Sequence, residues 1–441
     1  MLLSARQRLE ALGRPFRLLL VSDALMVLAL MVSHVAVPWW VAHEGGAQDL
    51  ALYAGLLALV SFVALPLLSP LGDRYSKRTL ITAGMAAMLV ESIALAALAQ
   101  AGIYHVALVI ALQFTSVVAM AAIMPASLSI VAELLPPEHL SEGLGYQKSA
   151  QAIGRLLGPA LGGAALALAG TPAALWLLVL LMVVATLLAA RIETPPRADL
   201  QGSRADWMSE LRAGLTAKWR IPMERGWSFV SFLVMVFFGP GIGMLVPLKV
   251  QSLMLSGAWL GACEAGLSAG MLLGALGGSA GIARRIGRFN ASTGAILTEG
   301  LCLVLLGLTH TPWALVLVFA MLGLCVATVV MVGQTHRMLA MPAGFRARMT
   351  AVNIMVMQVA GMLGPGLAGL SLISLHVDQV YLMFGAGLVI VGLGYTRVPG
   401  YRQFLNLPHD EAQGFYGREH PQAFGAVEGS AGFVSQSTTG R

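Results

Sequence analysis

The sequence predicts an all-α membrane protein, with twelve transmembrane helices in two pseudo-symmetric six-helix bundles. Three observations carry that prediction. Apolar segments of about 20 residues, the length that crosses a bilayer core, follow one another along most of the chain. Basic residues sort to alternate connections between them. A glycine-faced, proline-bearing stretch occurs twice, 206 residues apart. Composition agrees: 57% of residues are hydrophobic, 11% are charged and mean hydropathy is +0.79. A chain of this kind is not a soluble enzyme.

The apolar runs fall near 18–42, 51–71, 79–100, 105–132, 147–169, 172–190, 226–248, 257–282, 290–309, 312–335, 350–374 and 379–397. The first follows Arg6, Arg8, Arg14 and Arg17. It is too long for a signal peptide and has no clear cleavage site, so it is read as an uncleaved span. With the N-terminus placed inside, every one of the 27 Lys and Arg residues except Lys249 and Arg155 falls in an inner connection or at an inner helix edge. This is the positive-inside pattern, and a miscounted span would scramble it. Both termini are expected to be cytoplasmic. The net charge of +6 then reports topology and gives no reason to expect nucleic acid.

Residues 1–190 are expected to form the first bundle and 226–400 the second, joined by a linker at 191–225. In the linker, Met208, Leu211, Leu215 and Trp219 share one helical face. That reads as an amphipathic helix on the inner leaflet, with a solvated connector as the alternative. The tail, 401–441, is rich in Gly, Ser, Gln and Thr and is expected to be disordered.

The repeated stretch reads Gly154-Arg155-Leu156-Leu157-Gly158-Pro159-Ala160-Leu161-Gly162-Gly163. Gly154, Gly158 and Gly162 fall on one helical face, with Pro159 and Gly163 on the neighbouring stripe. Small residues at this spacing let helices touch backbone to backbone in lipid. Pro159 has no N–H, so the carbonyl of Arg155 loses its helical donor. A neighbouring helix or a wet cavity must supply another. The second copy carries Gly364, Pro365 and Gly369. Duplicated bundles with an inner linker are the sequence mark of a secondary transporter.

Two motifs carry a resemblance. The loop Ser69-Pro70-Leu71-Gly72-Asp73-Arg74-Tyr75-Ser76-Lys77-Arg78 resembles the G-x-L-x-D-R-x-G-R-K signature of the major facilitator superfamily, with Ser69 and Ser76 in place of glycines. Its weaker counterpart in the second half is Arg284-Arg285-Ile286-Gly287-Arg288-Phe289. The Gly154–Gly163 stretch matches that family's antiporter motif, G-x-x-x-G-P-x-x-G-G, at every fixed position. Ser22-Asp23-Ala24-Leu25, and the segment from Met124-Pro125-Ala126 to Leu135-Pro136, look like the branch of macrolide and siderophore exporters. The resemblance implies the major facilitator fold, alternating access and a bacterial inner membrane. It implies that Asp73, Arg74, Lys77 and Arg78 form a gating loop. One departure stands out. Many drug antiporters of the family carry an arginine in the fourth span; here 106–135 has none, and Gln113 is its main interior polar group.

A charge at mid-bilayer costs roughly 2.5–3.5 kcal/mol, so each needs a partner, a proton or water. Asp23 and Arg155 lie at similar depth in spans that are neighbours in the resembled fold, and they are expected to pair. Glu91 and Glu299 occupy roughly equivalent places in the third and ninth spans, which are peripheral in that fold. They are read either as neutral buried acids or as proton carriers. Glu264 lies in the outer half of the eighth span, which the resemblance places along the cavity. It is read either as attracting a cationic substrate or proton or as a solvated rim carboxylate. His34, in the outer half of the first, is read either as a titrating group or as a hydrogen-bonded structural histidine. These residues, with Gln113, are the candidates for proton coupling and the substrate cavity.

Other chemistry is missing from the sequence. No phosphate-binding G-x-x-x-x-G-K-[ST] occurs. Cys263, Cys302 and Cys325 have no metal spacing and read as core residues, so no metal or cofactor is expected. Trp39, Trp40, Trp176, Trp259 and Trp313 fall near outer boundaries and suggest an interfacial belt. The expectation is a monomeric, proton-coupled exporter of a small amphipathic compound, in contact with membrane lipid. A lysophospholipid flippase, a proton symporter for uptake and a non-transporting membrane receptor or structural protein are the alternatives.

Overall fold

The structure, a computed structural model, describes residues 12–68, 75–193 and 207–424. Ten of its helices are long and apolar enough to cross a membrane. Two of these run for 51 and 53 residues. At about 1.5 Å per residue each is more than twice the ~30 Å of hydrocarbon it has to cross. Each is broken by a glycine at positive φ: Gly46 at φ 66°, ψ −159°, and Gly170 at φ 74°, ψ −172°. A side chain at either position would be strained. The chain turns back at both. Ser33 and Ser61, on either side of Gly46, line one cavity. Gln147 and Ala185, on either side of Gly170, bond the adjacent residues Asp23 and Ser22. The ten helices therefore make twelve crossings.

We number the helices α1 (14–45), α2 (47–68), α3 (Lys77–Gln100), α4 (Val106–Leu134), α5 (137–168) and α6 (171–190). The linker helix is α7 (Trp207–Arg220). The second half comprises α8 (Pro222–Ile242, continued by Leu245–Ser252), α9 (Gly257–Leu273, running on to Ser279–Ile286) and α10 (Arg288–Leu308). It ends with α11 (Pro312–Thr328, running on to Thr335–Ala340), α12 (Ala343–Ser371) and α13 (Val377–Gly392). Alternation puts the start of α1, the linker and the tail at one end of the molecule, here the linker end. The opposite end is the far end.

Glycine stripes on α5 and α12 organise the packing. A Cβ on Gly154 would lie 2.8 Å from the carbonyl oxygen of Ala24, and one on Gly158 2.9 Å from that of Leu28. This stripe seats α5 on α1. The neighbouring stripe serves another helix: a Cβ on Gly163 would lie 2.5 Å from Gly261 Cα, in α9 of the opposite half. The second copy repeats the arrangement. A Cβ on Gly364 would lie 2.7 Å from Val236 O in α8, and one on Gly369 would collide with Ala51 of α2. Each copy thus holds one helix within its bundle and one across the divide, which is the pseudo-symmetry expressed as packing. The carbonyl of Arg155, whose helical donor is lost at Pro159, accepts a hydrogen bond from Ser268 Oγ of α9 at 3.1 Å.

Three features of the linker and tail depart from the expectation. First, α7 docks on protein as well as presenting an apolar face. Gly214 lies against the backbone of Arg348 in α12, while Leu215 and Trp219 remain exposed. Second, 401–424 is folded. Tyr401, Phe404, Leu405, Tyr416 and Phe424 are buried, with Tyr401 edge-on to Trp227 at 4.7 Å and Phe424 to Phe345 at 4.9 Å. The compositional reading averaged these aromatics with the polar residues 425–441, which lie outside the described residues.

Third, the linker end holds a buried ionic cluster that joins α7, α8, α11, α12 and the tail. Glu224, in the first turn of α8, has no solvent exposure. Arg337 of α11 grips it with two hydrogen bonds, Nε to Oε1 at 2.8 Å and an η nitrogen to Oε2 at 2.6 Å. Lys218 Nζ donates to Oε2 at 3.1 Å and Tyr416 OH to Oε1 at 2.9 Å. Lys218 also donates to Asn353 of α12, and Arg337 stacks over Trp227 at 4.8 Å. Lys249, one of the two exceptions in the charge sorting, pairs at the far end with Asp378 at 2.6 Å, in the first turn of α13, where a carboxylate also meets the positive end of the helix.

Candidate functional site

A cavity of about 640 Å³ lies between the two halves. It draws walls from α1, α2, α3, α4 and α6 on one side and from α8, α9 and α12 on the other. Its walls are mostly apolar and rich in methionine: Met88, Met120, Met124 and Met182 face Met235 and Met244. Unbranched thioether chains adapt to ligands of different shape. Polar groups enter at few points. His34 and Ser33 come from α1, Tyr53 and Ser61 from α2, Glu91 from α3, Gln113 and Ser116 from α4, Glu264 from α9 and Gln358 from α12. No Lys or Arg is among the described lining residues.

Two of these groups are held by neighbours. Gln113 Nε2 donates to Ser33 Oγ at 3.4 Å, in place of an arginine contact from the fourth span. Ser116 Oγ donates to Glu91 Oε2. Glu91 is 3% exposed, and its other oxygen, Oε1, is buried without a hydrogen-bond partner among the described residues. A buried carboxyl oxygen left open at a cavity wall is an acceptor awaiting a proton, a water or a ligand.

The far end of the cavity is closed by contacts between the halves. Gly163 meets Gly261, Gly369 meets Ala51, and Gly257 meets Leu166. The Gln251 amide of α8 reaches the last turns of α1. In one orientation it donates to Trp39 O at 3.3 Å; turned over, it donates to Ala42 O and accepts from His43 N–H, both at 3.2 Å. Either way it ties the two halves together.

The sequence candidates divide. His34, Glu91, Gln113 and Glu264 are brought together on the cavity wall. Asp23, Arg155 and Glu299 are not among its lining residues. The expected Asp23–Arg155 pair does not form. Asp23 is fully buried and accepts from Gln147 at 2.6 Å, Gln151 at 3.3 Å and Ser127 at 3.4 Å. The cause is the glycine seat: with Gly154 on Ala24 and Leu28, Asp23 lies level with the 147–151 turn. Arg155 lies one turn beyond, where its backbone meets α9.

Glu91 and Glu299 are not equivalent either, and Glu91 is not peripheral. Glu299 is 4% exposed inside the second half. There Gly300 admits α13 so closely that a Cβ would lie 2.9 Å from Val389 N. Of the signature loop, Asp73 and Arg74 lie outside the described residues. Lys77 pairs with Glu133 at 2.6 Å and Arg78 donates to Ala190 O at 2.7 Å. Both brace the linker end of the first half rather than reaching the second. In the tryptophan set, Trp176 and Trp313 are exposed, but Trp40 is buried against Tyr104. The three cysteines are buried and free, and no His, Cys, Asp and Glu grouping suited to a metal occurs among the described residues.

Solved transporters share this architecture. The nucleoside transporter NupG superposes with TM-score 0.68 at 14% identity, covering 88% of this chain and 99% of that one. A bacterial homologue of the human lysosomal transporter Spinster, in an inward-facing and unoccupied conformation, gives 0.64 at 12% identity, over 90% and 98%. The peptide transporter POT in complex with sulfate gives 0.67 at 14%, over 89% and 96%. At these identities the likeness is one of fold. No curated protein sequence matches. The family model of the Major Facilitator Superfamily matches residues 19–365, most of the chain and both halves of the cavity. With twelve crossings in two pseudo-symmetric bundles around a central cavity, the chain belongs to the major facilitator superfamily.

Proposed function

We propose that this transporter exports a small amphipathic compound, drug-like or a siderophore, in exchange for protons. On this reading it works as a monomer in a bacterial inner membrane, with both termini cytoplasmic. The observation that carries the proposal is the cavity wall. Methionine-rich surfaces from both halves surround one carboxyl group from each half, Glu91 and Glu264. Apolar adaptable walls suit an amphipathic ligand, and intramembrane carboxyls suit proton carriage. The match of Gly154–Gly163 to the antiporter motif supports exchange over symport. The sorting of Lys and Arg supports cytoplasmic termini, which makes the closed far end periplasmic. Each proton carries roughly 2.3 kcal/mol per 100 mV, so one or two drive a substantial gradient.

The experiment uses everted membrane vesicles with an imposed acid-inside gradient and a fluorescent amphipathic dye. Uptake that collapses on adding an uncoupler is the expected result. Glu264→Gln and Glu91→Gln are each expected to lower the gradient-driven rate by about 10-fold or more, the effect of removing a proton-transfer group. Dye movement indifferent to the uncoupler, or driven the opposite way, refutes proton-coupled export.

A further inference from the structure

The second-half counterpart of the signature loop has no role in the cavity, and the structure gives it a different one. We propose that the cleft between α9, α11 and the start of α10 binds the headgroup of an anionic phospholipid in the leaflet at the linker end. The cleft measures about 490 Å³ and is lined by Arg284, Arg288, Met331, Thr335 and Asn406. It lies beside two irregular turns that face each other. α9 passes through a π-helical turn at Gly274–Gly278, with Gly277 at φ 118°, and α11 through another at Val329–Gln334. Ser279 and Thr328 bond across them at 3.1 Å. Such turns widen a helix locally and recur at functional sites.

Charge selects the occupant. Arg284 and Arg285 are exposed and have no ion-pair or hydrogen-bond partner among the described residues. Arg288 reaches Leu407 O at 2.7 Å, and Arg402 lies over Phe289 at 5.7 Å. Where the first-half loop carries Asp73, this one carries Arg284, and no acid follows through Phe289. The start of α10 adds its positive helix end, where Asn406 Oδ1 accepts the N–H of Phe289 at 3.4 Å. Met331, half exposed, offers an apolar contact for the upper acyl chains. A basic pocket between membrane helices at the headgroup level is the chemistry that holds an acidic lipid.

The test is native mass spectrometry of the full-length chain, titrated with phosphatidylglycerol or with phosphatidylcholine of the same acyl chains. Phosphatidylglycerol is expected to be retained preferentially. Arg284→Gln with Arg288→Gln, the two arginines that line the cleft, is expected to weaken it about 25-fold, two steps of about fivefold at ~1 kcal/mol per arginine. Arg191→Gln, a basic residue elsewhere at the linker end, is expected to leave it unchanged. Ala280→Leu, at an exposed lining position, fills the cleft without altering charge and is expected to displace the lipid as well. That variant decides the matter should the double substitution fail to fold. Equal retention of the two lipids, full affinity in Ala280→Leu, or complete displacement by millimolar inorganic phosphate would each overturn the proposal. None of these outcomes depends on what the cavity transports.

Discussion

Glu224→Ala is expected to lower the melting temperature of the purified protein by about 3–5 °C. Among the described residues its carboxylate is the single anion between two buried cations, Arg337 and Lys218, which are 2% and 4% exposed. Removing one member of a buried pair leaves an uncompensated charge and costs about 3–5 kcal/mol. In a chain of 441 residues each kcal/mol is about 1 °C, because the unfolding entropy grows with length. The two cations do not share the anion equally. Arg337 takes it with two parallel hydrogen bonds, the geometry that suits a guanidinium. Lys218 is the second claimant. Burial, aided by the nearby Arg337 charge and opposed by Glu224, pulls its ammonium down to about 8. Lys218→Met is therefore expected to be close to neutral, whereas Arg337→Met loses as much as Glu224→Ala. Thermal unfolding followed by tryptophan fluorescence reads all three, since Trp227 lies against Arg337. A Glu224→Ala protein that melts with the parent would mean the cluster does not hold the linker end together.

Gly163→Leu is expected to abolish transport while sparing the melting temperature. A Cβ there meets Gly261 Cα at 2.5 Å, and the neighbour is backbone, which has no rotamer to move aside. Overpacking of this kind costs about 1–3 kcal/mol. Because the contact crosses between halves, the cost falls on the far-end-closed state alone. Its population drops by up to about 100-fold relative to the open one. Gly158→Leu presses on Leu28 and Met31 within one bundle and is expected to destabilise the fold instead. Vesicle transport and a melting curve on both variants separate the two effects. A Gly163→Leu protein with normal transport would show that the α5–α9 contact opens without consequence.

The spans were legible because hydrocarbon admits only apolar helices of a fixed length, and that constraint is written residue by residue. The sequence edges at 42 and 51, and at 169 and 172, bracket the breaks found at Gly46 and Gly170. The two glycine stripes were legible too, since helical phase follows from spacing. That one stripe crosses to the opposite half was not, because spacing does not name a partner. The same limit explains the charged groups. Asp23 and Arg155 look equally deep in the sequence but lie about one turn apart in the structure, because depth is set by where Gly154 seats on α1. Glu224 meets Arg337 and Tyr416 over separations of 113 and 192 residues. In the sequence these read as edge charges and as part of a polar tail.

The account rests on two halves that close alternately around one cavity. Its most direct test is a pair of spin-label distances in lipid nanodiscs, one between Ala47→Cys and Ser256→Cys at the far end, the other between Glu138→Cys and Gly344→Cys at the linker end. Both are recorded as pH is moved between about 5 and 8, the range in which an ordinary histidine changes charge. Alternating access predicts opposite changes: as the far-end distance lengthens, the linker-end distance shortens. Two distances that stay fixed, or that lengthen together, would contradict it.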